Sequence, residues 1–368
     1  MPFSYQNTGR FMPAVMLISA LLLASTACSG PEGGNGAAPG GAGATINLQG
    51  AGASFPNPLY QKWLSEYSKI HPNVHIDYQS IGSGGGIKQI KEQTIDFGAS
   101  DAPMKDEDLK SAPGPLLHIP TVLGAVVITY NLQGISQPLR FTGDVIADIY
   151  LGKIKRWDDP RMKANNPNAQ LPAADISVVH RSDSSGTSAV FTDYLSKVSP
   201  EWKEKVGAGT SPSWPVGIGG KGNEGVTGQV KQTPNTIGYV ELAYAVQNKL
   251  PVALIKNKSG NFIEPSLDSV TAAAAGSVAT MPADMRVSIT DAEGADAYPI
   301  SSYTYILAYK DEKDATKGKA LVDYLWWAVH DGEKYAKDLQ YAPLPEEVVK
   351  RDEALINSIT ANGQPLHQ

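Results

Sequence analysis

Three times in this chain a short apolar run gives way to small residues and then to a helical pattern: GAGASFPNP (50–58), GSGGGIKQI (82–90) and SDSSGTSAVF (182–191). A strand that empties through small residues into the start of a helix is the unit of an α/β fold. The same unit has a chemical consequence. The first turn of a helix leaves backbone N–H groups without carbonyl partners and carries roughly half a positive charge, which suits an anion. Glycine lets the backbone approach a ligand closely, and Ser or Thr adds a hydroxyl donor. For any single turn, N-capping by the hydroxyl accounts for the residues as well. Three in one chain, one of them beside Arg181, point to a shared site for a small oxyanion. Asp183 in RSDSSGTS (181–188) and Asp101 in GASDAPM (98–104) stand against that reading, because a carboxylate repels an anion.

The alternation continues from Ile46 onward. Strands are expected at 46–52, 74–82, 95–100, 125–132, 176–181 and 303–309, and helices at 56–70, 84–94, 186–198 and 317–332. In the first helix Leu59, Trp63 and Tyr67 recur at every fourth position, and in the last Leu321, Leu325 and Val329 do the same. Trp326 and Trp327 read as core or lobe-packing residues, and SVTAAAAGSVAT (269–280) as a surface helix. At 368 residues the chain is long enough for two domains. Its net charge of −6 argues against a nucleic-acid surface, so local geometry must attract any anion.

Ahead of this body, Arg10 precedes an apolar stretch (15–24) too short to span a bilayer, the pattern of a signal peptide over residues 1–27. Small residues lead to Cys28, the single cysteine, within ASTAC. An exported chain with one cysteine cannot close an internal disulfide, and likeness to a bacterial lipobox makes Cys28 a lipid attachment point. Residues 28–45, rich in Gly, Ala and Pro, then form a flexible tether. Loss of residues 1–27 removes Arg10 and no acid, which takes the charge from −6 to −7.

Enzymatic readings find less support. No GxxxxGK[ST] is present, and Ile81 stands where a GxSxG elbow needs its first glycine. His180, Asp183 and Ser185 are neighbours in sequence, whereas a catalytic triad is built by spatial convergence. His71 and His75 have helical metal-site spacing, yet Pro72 and the strand-like VHIDY argue against a helix there. His118, His330 and His367 are scattered. No metal or cofactor is expected.

GAGASFPNPLYQKW, YQSIGSGGGIKQI, IDFGASDAPM, DIYLGKIKRWDDP, VVHRSDSSGTSAVFTDYL, GIGGKGNEGV and IGYVELAYA lie in this order along the chain. Together they resemble the periplasmic phosphate-binding proteins of bacterial phosphate ABC transporters (the PstS family), over about Leu48 to Leu366. The resemblance implies an α/β, two-lobed periplasmic binding protein fold of type II, with two hinge strands and one phosphate in the cleft between the lobes. It places one lobe at 46–124 plus 304–368 and the other at 125–303. It implies a monomeric receptor partnered by an ABC permease and ATPase in the inner membrane, held outside the cytoplasm. A phosphatase on a related fold, or a phosphate sensor without transport, is the alternative.

Residue by residue, the family's ligand contacts fall on Ser54 and Phe55, Ser83, Asp101, and Arg181, Ser185, Gly186 and Thr187. The family often has Thr at the position of Ser54, and Ser keeps the donor. Asp183 matches an acid that pairs with the arginine. Physical roles can be assigned beside the resemblance. Phosphate near neutral pH carries at least one O–H, and sulfate carries none. An ionised Asp101 only accepts hydrogen bonds, so phosphate satisfies it and sulfate leaves it unpaired. An unsatisfied buried partner costs about 1–3 kcal/mol, more when charged. Sites built this way reject the wrong analogue by about 10⁴–10⁵. Asp183 is expected to hold the Arg181 guanidinium in a fixed fork.

Overall fold

The computed structural model describes residues 44–367. The expected signal peptide, Cys28 and nearly all of the tether lie outside the described residues. No described helix is long and apolar enough to cross a membrane.

The body is organised on one eight-stranded sheet. In chain order its strands are β1 (Ile46–Gly52), β2 (Val74–Ser80), β3 (Phe97–Ser100), β4 (Leu116–Asn131), β5 (Ser177–Arg181), β6 (Ile218–Gly220), β7 (Thr236–Glu241) and β8 (Ser301–Tyr309), arranged β2-β1-β3-β8-β4-β7-β5-β6. At one end β2, β1 and β3 run parallel, and at the other β7, β5 and β6 do. The antiparallel strands β8 and β4 lie between these groups.

β4 belongs to both halves. From Leu116 to Ala125 it pairs with β8, skipping Thr121, and from Val126 to Asn131 it pairs with β7. Sequence reading expects only the second part, as a strand at 125–132. The structure accommodates Pro120 at a register shift between Thr304 and Tyr305 of β8. A proline has no N–H to offer the ladder, so a bulge is where it fits.

The parallel strands feed four helices, three of them expected from the sequence and one, Gly222–Gln232, not. Helix α1 (Asn57–Ile70) follows β1 and buries Leu59, Trp63 and Tyr67, the every-fourth-residue stripe. Its indole is anchored by a hydrogen bond from Trp63 Nε1 to the Gly332 carbonyl at 2.7 Å. Helix α2 (Ser83–Lys91) follows β2, helix α3 (Gly186–Val198) follows β5, and helix α4 (Gly222–Gln232) follows β6. The bounds of α3 are those expected. Near the C-terminus the helix Ala315–Val329 buries Leu321, Leu325 and Val329. Trp327 packs in the core, while Trp326 is half-buried and stacks on His330 and His367. The alanine-rich segment forms a shorter helix than expected, Leu267–Ala275, opened by a capping box between Ser266 and Ser269.

Candidate functional site

In open α/β sheets, ligands sit beyond the carboxyl ends of the parallel strands, where helices begin. Here the turns after β1, β2, β3, β5 and β6 deliver Ser54 and Phe55, Ser83, Asp101, the segment Arg181–Thr187, and Asn223. All are buried except Ser182, which is exposed, and Ser184 and Asp183, which are half-buried, the Asp183 side chain being 11% exposed.

The hydroxyls do not play one common role. Ser185 caps α3, its Oγ accepting the Ser188 N–H at 3.0 Å. Ser54 does not cap α1, and Ser83 is the first residue of α2 after Gly82, which makes no side-chain cap. The capping explanation therefore covers one of the three turns.

Two facing groups make up the cluster. In one, Arg181 Nε and Nη2 donate to the two carboxylate oxygens of Asp183 at 2.8 and 2.6 Å, a bidentate fork. Asp183 Oδ1 also accepts the Gly222 N–H at 3.0 Å. Arg181 Nη1 remains and reaches Thr187 Oγ1 at 3.2 Å. Asn223 Nδ2 links Thr187 Oγ1 at 3.1 Å to Ser54 Oγ at 2.9 Å, which ties the β5 segment to the β1 turn. In the other, Asp101 Oδ1 accepts the Thr304 hydroxyl at 2.8 Å, and the Asp101 N–H donates to Ser83 Oγ at 3.3 Å. Asp101 Oδ2 is buried with no hydrogen-bond partner.

Glycine sets the distance between the groups. A Cβ at Gly186 would stand 2.3 Å from Ser83 Oγ and 2.5 Å from Asp101 Oδ2, closer than any real contact. At Gly82, with φ of +88°, it would stand 2.4 Å from Asp183 Oδ2. A backbone hydrogen bond from Gly84 N–H to the Ser184 carbonyl at 2.9 Å joins the same two surfaces. A cleft of about 260 Å³ runs between Pro103, Met104 and Ser302 on one side and Ala189, Val190 and Thr210 on the other, and reaches Asp101.

Phe55 contributes through its backbone turn, its carbonyl accepting the Tyr341 hydroxyl at 2.6 Å while its ring packs against Gly124. Glu241, at the end of β7, is fully buried and was not singled out from sequence. Its Oε2 accepts the Ala243 N–H at 2.8 Å, and burial pushes its carboxyl well above the usual range.

The two aspartates differ electrostatically. Burial pushes the Asp101 carboxyl up to about 7, although the Thr304 hydrogen bond and the Arg181 charge pull the other way. Burial also works against Asp183, but there the Arg181 hydrogen bonds win and hold it below the usual carboxylate range. For Arg181, burial opposes the charge and Asp183 more than offsets it, so the guanidinium stays charged. The pocket thus presents a fixed cation neutralised from behind, hydroxyl and N–H donors, and one carboxylate oxygen free to accept a proton.

The histidine arrangements weighed from sequence do not assemble. The His180 ring stacks on Trp214, and its Nδ1 meets the Arg181 carbonyl rather than Ser185. His71 sits at the end of α1 and His75 in β2. Asn223 and Thr304 are residues that sequence reasoning missed. Ser302 and Thr304, two hydroxyl residues spaced to share one face of β8, were the available signal for the second.

The PBP superfamily domain matches residues 37–327. The phosphate-binding protein PstS of Xylella fastidiosa is 48% identical over 311 residues, 84% of this chain and 85% of that protein. PstS of Pasteurella multocida is 49% identical over 308 residues, 83% of this chain and 89% of its own length. Among solved structures, a human phosphate binding apolipoprotein superposes with a TM-score of 0.69 at 18% identity, over 86% of this chain and 99% of that one. That likeness shows the fold, the two-lobed α/β arrangement that the resemblance implied.

Proposed function

The chain belongs to the PBP superfamily and, within it, to the PstS phosphate-binding proteins, and we propose on that premise that it captures inorganic phosphate outside the cytoplasm and delivers it to an ABC permease and ATPase for import. The observation that carries phosphate over other oxyanions is Asp101 Oδ2, a buried acceptor without a protein partner among donors. A ligand that fills this space must bring acceptor oxygens for the donors and one O–H for Asp101. Phosphate has both, and sulfate has only the first.

In this reading Ser54, Phe55, Ser83, Asp101, Arg181, Ser185, Gly186 and Thr187 contact the ligand, and Asp183 acts on it through Arg181. No covalent step is involved; the working motion is closure of two lobes, 46–124 with 304–368 and 125–303. The change of β4's pairing partner at Ala125 and Val126 supports the first crossing. The site is complete within one chain, which favours a monomer. A lipid on Cys28 and the tether behind it would keep the receptor at the membrane surface. Equilibrium calorimetry with phosphate, arsenate and sulfate between pH 5 and 9 tests the reading. Phosphate is expected to bind tightly, arsenate to bind as well, and sulfate to be rejected at pH 8 and above, where Asp101 is ionised; sulfate binding as tight as phosphate there refutes it.

A further inference from the structure

Asn223, the second residue of α4, is 0% exposed and makes hydrogen bonds in two directions. Its Oδ1 accepts the Glu241 N–H at 2.9 Å. A backbone N–H can only donate, so this contact fixes which end of the amide is oxygen and turns Nδ2 toward the cluster. There its two hydrogens go to Ser54 Oγ at 2.9 Å and Thr187 Oγ1 at 3.1 Å. Each of those oxygens receives a second donor. The Asn223 N–H reaches Ser54 Oγ at 3.1 Å, and Arg181 Nη1 reaches Thr187 Oγ1 at 3.2 Å.

A hydroxyl has two acceptor lone pairs and one O–H. At Ser54 and Thr187 both lone pairs are therefore occupied, and by groups that cannot reverse roles: an amide NH₂, a backbone N–H and a guanidinium. Each hydroxyl has only its proton left to offer. We infer that Asn223 is a positioning residue that makes Ser54 and Thr187 obligate hydrogen-bond donors to the oxyanion. The inference rests on the phosphate reading and deepens it, because it sets how many protons the bound ligand can carry. Ser83 and Ser185 each receive one N–H and keep a lone pair. Asn223 withdraws the acceptors of the other two, so HPO₄²⁻ is favoured over the more protonated H₂PO₄⁻.

The test is calorimetric titration of the chain with inorganic phosphate at pH 5 and pH 8, comparing wild type with Asn223→Asp and Asn223→Ala. Asp101, Arg181, Asp183, Glu241 and Glu224 surround this network from β3, β5, β7 and α4. They are present in every form, so the readout is the variant-to-wild-type ratio at each pH. In Asn223→Asp the shape is kept, but the new oxygen accepts the hydroxyl protons and faces the anion with a charge. Affinity at pH 8 is expected to fall about 100-fold, two orders built from lost charge-assisted hydrogen bonds. The loss should be smaller at pH 5, where the ligand carries an extra proton and one charge less. In Asn223→Ala the lone pairs are freed, and about 10-fold should be lost at pH 8 with little change at pH 5. That variant adds no charge and decides the question alone if Asn223→Asp fails to fold. Equal losses at the two pH values, or affinity within about 3-fold of wild type at pH 8, overturn the role of Asn223. Wild-type protein that takes up no phosphate at either pH overturns the phosphate reading, and this inference with it.

Discussion

Replacing Asp101 by Asn removes the acceptor while keeping its shape, and the structure allows the result to be worked through. Thr304 donates to Oδ1, so in Asp101→Asn the amide oxygen keeps that bond and Nδ2 takes the place of the unpartnered Oδ2. In wild type at pH 8 the carboxyl is ionised, since burial raises it only to about 7. Bound sulfate then leaves a buried charged acceptor unsatisfied, at a cost of about 3 kcal/mol. Repulsion by the carboxylate is common to sulfate and HPO₄²⁻, both dianions, but phosphate alone gains a charge-assisted hydrogen bond to Oδ2, worth about 3 kcal/mol. The sum corresponds to roughly 10⁴ in affinity, within the range over which a polar site rejects an analogue lacking its hydrogen. In the variant the unsatisfied charge is gone for sulfate, because an N–H now meets its oxygen, while phosphate loses its acceptor. Titration of both anions at pH 8 should show the gap shrinking to within about 10-fold. A phosphate-to-sulfate ratio unchanged from wild type refutes the role given to Asp101.

Other perturbations have equally definite outcomes. Asp183→Ala strips the partner from a buried guanidinium and should cost about 3–5 kcal/mol of stability, with phosphate raising the melting temperature more than in wild type. Gly186→Ala places a methyl against Ser83 Oγ and Asp101 Oδ2, so phosphate affinity should fall at least about 100-fold while circular dichroism stays that of the folded protein. Between its ordinary value of 3.8 and about 7, Asp101 holds a proton in the folded state that the unfolded chain has released. The phosphate-free protein should therefore lose about 4 kcal/mol from this group as pH rises through that window. Denaturant titrations of wild type and Asp101→Asn at pH 4 and 8 check this, the variant lacking that part of the slope.

What could be read from sequence depended on whether the signal was local. The α3 bounds are legible because Ser185, a cap, and a following apolar stripe announce them within a few residues. The turns after β1, β2 and β5 are legible for the same reason, since glycine and hydroxyls cluster where each strand ends. The first half of β4 was hidden because Pro120 breaks a ladder by local rules and is tolerated only through the bulge opposite Thr304 and Tyr305. Asn223 sits within a motif that resemblance supplied, but its orienting role depends on Ser54, 169 positions away. No local pattern carries that link. The lone acceptor of Asp101 was inferred from its chemistry, while the hydroxyl of Thr304 that satisfies its other oxygen emerges only when β8 is laid beside β3.

β4 has a mechanical consequence. Because one unbroken backbone is laced to β8 along its first part and to β7 along its second, the two sides of the molecule share a torsion bar. The bar changes partner at the joint between Ala125 and Val126. Gly124, next to that joint, lies directly under the Phe55 ring at the mouth of the β1 turn. Twist in the bar would therefore reach the β1 turn through the Phe55 ring, and any side chain at 124 would have to displace that ring.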